Sequence, residues 1–505
     1  MPALPGVRSQ GVRSQGLRSF PTLGRPPRFS QSFLLASDAF AKLRSLEPAR
    51  HKPTAVIVGV QLDGVDEREH QSSLAELHRL ADTLGLKVIA KVTQRRAALA
   101  KAAVLGLGKL ATLGKLTGGA GTIPKGPEPS KKKQPYLGHG DEDDDDDEDL
   151  EEQPTTEEKA KVVLVDHDLT PSQARNLERA TGAEVMDRTG VILAIFHRHA
   201  KSREARLQVE IARLSYLAPR LRELGASKER QRGGIGGRGA GESNMELDRR
   251  KIRDRIAELR RELEAIESES SVRRQRRSDH ERIALVGYTN AGKSSLMRAL
   301  TGSEAYVADA LFATLDTTVR ALRPETRPKI LVSDTVGFIK KLPHDLVASF
   351  RSTLDEAREA QLLLFVVDAA DPAHESQLEV TQSVLRELGA GETPSLLVLN
   401  KIDKLSESEK VSLAELHPDA VMISAHSPTD VARLHAAIVA FFERSMVERE
   451  IFVPYELQRL VSEIHERGRV LSEAHDETGT RLLVRAIPDV LSRFDGAIAR
   501  LSHVK

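Results

Sequence analysis

Gly287-Tyr288-Thr289-Asn290-Ala291-Gly292-Lys293-Ser294 follows directly on the apolar run Arg282–Val286. Two glycines at this spacing let backbone N–H groups wrap an anion, and Lys293 adds a point charge suited to the β- and γ-phosphates of a nucleotide. Ser294 offers a hydroxyl to Mg²⁺. A helix expected from Ser295 turns its positive end toward the same anion. The loop alone specifies a nucleoside triphosphate but not its base.

Asn400-Lys401-Ile402-Asp403, after the apolar run Ser395–Leu399, supplies the base preference. A carboxylate at Asp403 accepts from guanine N1–H and from its exocyclic amine. Adenine has no such donor pair, and a mismatched base leaves buried polar groups unpaired. Asn400 is expected to brace the loop. Ser424-Ala425-His426, after Val421–Ile423, fits a third base-side loop whose backbone N–H reaches guanine O6.

Between these motifs stands Asp334-Thr335-Val336-Gly337, at the end of the apolar segment Lys329–Val332. Asp334 is placed to hold Mg²⁺ through water, and the Gly337 N–H to sense the γ-phosphate. Phe312-Ala313-Thr314-Leu315-Asp316 occupies the switch position, with Thr314 as candidate ligand of Mg²⁺ and the γ-phosphate and Thr318 as its rival. Lys293, Thr314 and Gly337 are therefore the catalytic candidates. Four motifs in this order, on alternating strands, predict a GTP-binding fold. Phe338 stands where Ras-like proteins carry the glutamine that orients water, so slow intrinsic hydrolysis completed by a partner is expected. Asn290 admits two readings: recruitment of K⁺ as a second charge-stabilising cation, or a hydrogen bond within the loop.

Elements that position these residues are legible upstream and downstream. Thr54–Val60, Leu86–Val92, Lys161–Asp166 and Glu184–Met186 read as strands alternating with helices over Ser72–Leu84 and from Thr170, an N-cap before Pro171, to Gly182. No catalytic signature is found in that region. Leu207, Ile211, Leu214, Leu217, Leu221 and Leu224 recur at helical spacing; Leu247, Ile252, Ile256, Leu259, Leu263 and Ile266 repeat the rhythm after its first step. Between them, Gly233–Glu242 holds six glycines in ten residues. This pattern predicts an antiparallel helical hairpin with a long tip. Arg238, Arg249 and Arg250 are the candidate RNA contacts, since arginine forks suit phosphates.

The expected organisation is α/β throughout. A basic tail (1–52) precedes an N-terminal α/β domain (53–200) interrupted by a disordered acidic insertion (118–160). The helical hairpin (201–280), a P-loop domain with a central, mostly parallel sheet (281–446) and a small C-terminal α+β domain (447–505) follow. The insertion contains Asp141–Glu152, in which eleven of twelve residues are acidic, and like charges this dense keep a chain extended. Over all 505 residues, 75 Lys and Arg balance 74 Asp and Glu, for a net charge of +1. The chain as a whole is thus neither a polycationic coat nor an acidic mimic. With no cysteine, disulfides and thiolate metal sites are excluded, which is compatible with a reducing cytoplasm, the expected setting. The absence of tryptophan argues against an aromatic platform for single strands. Neither a membrane span nor a secretory signal is expected, and a monomer is the plain expectation.

Together these residues resemble the HflX family of ribosome-associated GTPases, in the broad class of Obg and Era. The matching segments are MDRTGVILAIF (186–196), GGIGGRGAGESNMELDRR (233–250), GYTNAGKSSL (287–296), LFATLDTTVR (311–320), DTVGFIKKLPHDLVASFRSTLDE (334–356) and NKID (400–403). The resemblance covers about residues 53–505. It implies a GTPase that binds the large ribosomal subunit, enters the peptidyl-transferase region with its glycine-rich tip, and splits stalled or idle ribosomes under stress. A large-subunit assembly factor and a signalling GTPase with a protein partner are the alternatives. Three departures stand out: Ala240 where the family has proline, Thr317 where it has proline, and a weak match over the first domain, where only Leu105–Lys109 keeps a family-like Gly-Lys segment.

Overall fold

A computed structural model of the chain describes residues 52–123, 158–231, 244–275, 280–302, 311–312, 318–341 and 351–502. The basic tail, most of the acidic insertion, the glycine-rich tip with Arg238, and the switch residues Ala313, Thr314, Leu315 and Asp316 lie outside these residues.

The N-terminal layer consists of β1 (Thr54–Leu62), α1 (Glu67–Thr83), β2 (Lys87–Arg96), α2 (Leu107–Thr117), β3 (Val162–Val165), α3 (Pro171–Thr181), β4 (Glu184–Asp187) and α4 (Arg188–His199). Its four strands run in the order β2-β1-β3-β4, all parallel. β1 is buried on both faces. Ala55 and Ile57 pack with Leu74 and Leu77 of α1 and with α4, while Val56, Val58 and Val60 pack with α2 and α3. That explains its near-continuous β-branched sequence. Thr170 caps α3 in a reciprocal capping box with Gln173, and Gly182 closes the helix in the left-handed conformation.

The edges of the acidic insertion belong to this fold, correcting the expected boundary. Gly121 N–H donates to the Ala180 carbonyl at 2.8 Å, and Ala160 N–H to the Leu116 carbonyl at 2.9 Å. Gly121 and Ala160 are therefore tied by backbone bonds to α3 and α2.

Two long helices follow, α5 (Arg203–Gln231) and α6 (Asn244–Gln275). At 29 and 32 residues they span roughly 43 and 48 Å. Leu207, Ile211 and Leu214 interdigitate with Ile252 and Leu259, flanked by Ile256, Leu263 and Ile266. Leu247, expected on this stripe, is 36% exposed. Its five-residue step to Ile252 rotates it about 140° off the apolar face. Asp187 anchors the hairpin: its carboxylate accepts from Tyr216 Oη at 2.7 Å, pairs with Arg220, and caps α4 through Gly190 N–H at 2.8 Å.

The third unit comprises β5 (Glu281–Val286), α7 (Lys293–Thr301), β6 (Thr318–Ala321), β7 (Ile330–Asp334), α8 (Arg351–Arg358), β8 (Leu362–Asp368), α9 (His374–Glu387), β9 (Ser395–Asn400), α10 (Glu407–Leu416), β10 (Val421–Met422) and α11 (Pro428–Glu443). Its sheet order is β10-β9-β8-β5-β7-β6, parallel except for β6. From β5 the chain turns one way to β7 and then crosses back to β8. The carboxyl end of β5 is therefore a topological switch point, the place where open α/β sheets form a ligand crevice. A last unit packs α12 (Gln458–Arg467) and α13 (Pro488–Ser502) on an antiparallel sheet of β11 (Val447–Pro454), β12 (Arg469–His475) and β13 (Gly479–Ala486).

The first and third units share one core. The apolar cluster under α1 and α4 runs on through Ala284, Val286, Tyr288, Phe312, Val336, Phe338 and Phe365.

Candidate functional site

At the switch point the chain passes from β5 through Gly287–Gly292 into α7. The helix begins at Lys293, two residues before the expected Ser295. Gly292 has φ +94°, and a Cβ there would stand 2.2 Å from Asn400 Nδ2. Only glycine meets both demands. Asn400 in turn donates from Nδ2 to the Ala291 carbonyl at 2.9 Å and accepts from Ala425 N–H at 3.1 Å. One amide thus ties the phosphate loop to both base-side motifs. Lys401 Nζ adds a second tie, 2.7 Å from the Asn290 carbonyl and 2.7 Å from Asp368. Asn290 itself sits at φ +61°.

Lys293 is buried, and its Nζ donates to the Gly287 and Tyr288 carbonyls at 3.0 and 2.8 Å. Burial lowers its pKa to about 8, against the opposing pull of Asp334. Carbonyl dipoles hold the ammonium where a phosphate would compensate it better. Ser294 Oγ donates to Asp334 Oδ2 at 2.7 Å, so the two candidate Mg²⁺ groups adjoin. Asp334 ends β7, and Thr335 Oγ1 is bonded to the Leu285 carbonyl at 2.7 Å. A Cβ on Gly337 would lie 2.8 Å from Thr289 Cγ2 and 3.0 Å from Lys293 Nζ. This close approach brings the third motif against the first. The backbones of Phe338 and the phosphate loop are also joined: Thr289 N–H donates to the Phe338 carbonyl at 2.8 Å, and Phe338 N–H to the Gly287 carbonyl at 3.1 Å.

On the base side, Asp403 is exposed. A hydrogen bond from Ser424 holds its carboxyl below the usual range, with His426 and Lys404 adding to the effect. An exposed carboxylate thus stands beside the Ser424–His426 loop.

Phe312 departs from the expectation. It is buried, at φ +58°, with its ring edge-to-face on Phe196 at 4.6 Å, so its side chain is committed to the shared core. Thr318 lies in β6 opposite Asp334.

Sequence reasoning missed what stands behind the phosphate loop. Tyr288 Oη donates to the Glu76 carboxylate of α1 and accepts from Lys340 N–H at 2.6 Å. Arg188 pairs with Glu76 and, at 2.7 Å, with Asp166; Lys341 Nζ reaches Asp166 at 3.0 Å. Burial alone would push Asp166 up, but Arg188 and Lys341 hold it below the ordinary carboxylate range. Burial, then the neighbouring Glu76, pushes the Tyr288 phenol up. This buried chain links the first x-residue of the phosphate loop, the segment after Asp334–Gly337, and the N-terminal sheet. No local pattern could reveal it, since Tyr288 and Glu76 are 212 residues apart.

Known proteins resemble the chain, and family models match three of its regions. Family models match for the GTP-binding GTPase N-terminal region (residues 71–122 and 135–197), the GTP-binding GTPase middle region (199–277) and the 50S ribosome-binding GTPase (282–401). A GTPase HflX of Gluconacetobacter diazotrophicus is 58% identical over 449 residues, 88% of this chain and 98% of that protein. The GTPase HflX of Escherichia coli is 43% identical over 335 residues, 66% of this chain and 79% of that one. A GTP-binding protein from the archaeon Sulfolobus solfataricus, solved with GDP, covers 76% of this chain and 99% of its own, at 23% identity and a TM-score of 0.39.

Proposed function

The chain belongs to the HflX family of GTPases and is a GTP hydrolase; on that premise we propose that it acts on the large ribosomal subunit, splitting or rescuing stalled and idle ribosomes. The observation that carries this reading is the basic helical hairpin. Arg249 and Arg250 lie at the start of α6, next to the glycine-rich segment 233–242 with Arg238. A stalk of roughly 45 Å ending in glycines and arginines suits insertion among RNA phosphates. The 50S ribosome-binding description of the matching family model supports the same partner.

In the proposed nucleotide site, residues 287–294 cradle the phosphates and Lys293 pairs with the β- and γ-oxygens. Asp403 reads guanine, while Asn400, Lys401, Ile402 and Ser424–His426 shape the base pocket. The hard oxygens of Ser294 and Asp334 fit Mg²⁺, which when bound neutralises charge on the phosphate oxygens. Gly337 N–H faces the γ-phosphate. Thr314 is the proposed switch threonine, within the segment Ala313–Asp316. Lacking a water-orienting glutamine, the site turns over slowly until the ribosome completes it. Asn290 is proposed to admit K⁺, so turnover in KCl exceeds that in NaCl at equal ionic strength; equal rates would remove the cation from the reading.

Association in cells is proposed to be cytoplasmic and ribosomal, by a monomer. Among the described residues no helix is long and apolar enough to cross a membrane. Sedimentation of the protein with ribosomes and GTP tests the role. Conversion of whole ribosomes to subunits supports splitting. Binding confined to immature large subunits supports the assembly alternative.

A further inference from the structure

We propose that His374, Glu375 and His417 form a site for a borderline divalent transition metal of the Zn²⁺ class, separate from the nucleotide's Mg²⁺. One ring nitrogen of each histidine and one Glu375 carboxylate oxygen all lie within 4.8 Å of one another. Packing brings them together. His374 and Glu375 open α9, and His417 closes α10, whose Leu413 packs beside Leu378 of α9 over Val367 and Ala369.

The hydrogen bonding of His374 is the second observation. Its Nδ1 lies 3.0 Å from the Asp371 carbonyl. A carbonyl only accepts, so Nδ1 is the donor in this contact, which assigns the lone pair of the neutral ring to Nε2. Nε2 is buried and has no hydrogen-bond partner among the described residues. A buried acceptor left in this state carries a desolvation penalty, which a metal ion would remove. An Nδ1–H bonded to a backbone carbonyl is also the outer-shell arrangement that orients metal-bound histidines. Two imidazoles and one carboxylate make a three-ligand set with a fourth position open to water. Mg²⁺ and Ca²⁺ favour all-oxygen shells, whereas imidazole suits Zn²⁺, Co²⁺ and Ni²⁺. A tetrahedral shell with Zn–N near 2.0–2.1 Å has an edge of roughly 3.3 Å, and atoms that all lie within 4.8 Å of one another can reach it with small side-chain movements. Glu375 is exposed and able to swing inward.

The metal would clamp α9 to α10 behind β8 and β9. Those strands end at Asp368 and Asn400, the residues that hold Lys401 and the phosphate loop.

The test uses the full chain without a histidine tag, stripped with chelator and loaded with GDP and excess Mg²⁺ to fill the nucleotide site. Zn²⁺ is titrated by calorimetry, and Co²⁺ by its visible ligand-field bands. The expected result is one ion per chain, with affinity weakened about 10-fold or more in each of His374→Ala, Glu375→Gln and His417→Ala while GDP affinity is unchanged. Glu375→Gln, on an exposed side chain, keeps the test decisive should a histidine variant misfold. His465 and His475 flank Glu473 in the C-terminal unit at 3.1 and 3.6 Å and serve as the control. No saturable uptake, uptake equal in wild type and all three variants, or loss only on His465→Ala or His475→Ala would each overturn the proposal.

Discussion

Raising the pH should weaken nucleotide binding through Lys293 before any other group of the phosphate loop titrates. With a pKa of about 8, Lys293 of the nucleotide-free protein is about 90% charged at pH 7.0 and about 25% at pH 8.5. A bound triphosphate compensates the ammonium and raises its pKa, so binding takes up a proton across this window. Affinity for GTP should fall about fourfold between these pH values. Stability of the empty protein should move the opposite way. The folded pKa lies below the unfolded value near 10.4, so the fold disfavours the charged form and gains stability as pH rises from about 8 toward 10.5. The assay is displacement of a fluorescent guanine nucleotide at fixed Mg²⁺ and ionic strength. Lys293→Met supplies the baseline, because it keeps the titrations of the nucleotide itself. A wild-type slope no steeper than that of Lys293→Met would refute the reasoning.

Arg188→Ala leaves Glu76 and Asp166 buried without their shared cation. It should cost about 3–5 kcal/mol, measured as a lowered urea midpoint of the first transition. Asp403→Asn removes the carboxylate proposed to take two donors of guanine and should weaken GTP at least roughly 100-fold, read by the same displacement assay. Gly337→Ala forces a methyl onto Thr289 and Lys293; turnover should collapse while the fold, followed by circular dichroism, persists. Deleting residues 233–241 should leave intrinsic turnover intact and abolish stimulation by ribosomes. Stimulation that survives the deletion refutes the probe model.

The proposed phosphate and base motifs were readable because their residue types and spacing form a local pattern. Asn400 was expected to brace its loop, and it bridges Ala291 and Ala425. Strands buried on both faces, such as β1 and β3, announced themselves as β-branched runs. Other features depended on distant partners. The apolar segment of α4, Val191–Phe196, carries no helical periodicity because all six residues are buried; the Asp187 cap and the surrounding core decide its form. α2 contains Gly108 and Gly114, poor helix formers. Gly114 is needed because a Cβ there would lie 2.4 Å from Gly121 Cα. Phe312 looked like a switch residue by position alone, yet Phe196 claims its ring. The Glu76–Arg188–Asp166 chain was invisible because charged residues of this kind ordinarily face solvent, and these three, from segments far apart in sequence, are buried.

The most direct measurement is GTP turnover by the purified 505-residue chain in K⁺ and Mg²⁺ buffer, with and without large ribosomal subunits. The account predicts slow intrinsic turnover and strong stimulation by the subunit, weakening steeply as salt rises because phosphate contacts release counterions. Fast turnover by the protein alone, or tight GTP binding with no response to the subunit, would contradict it.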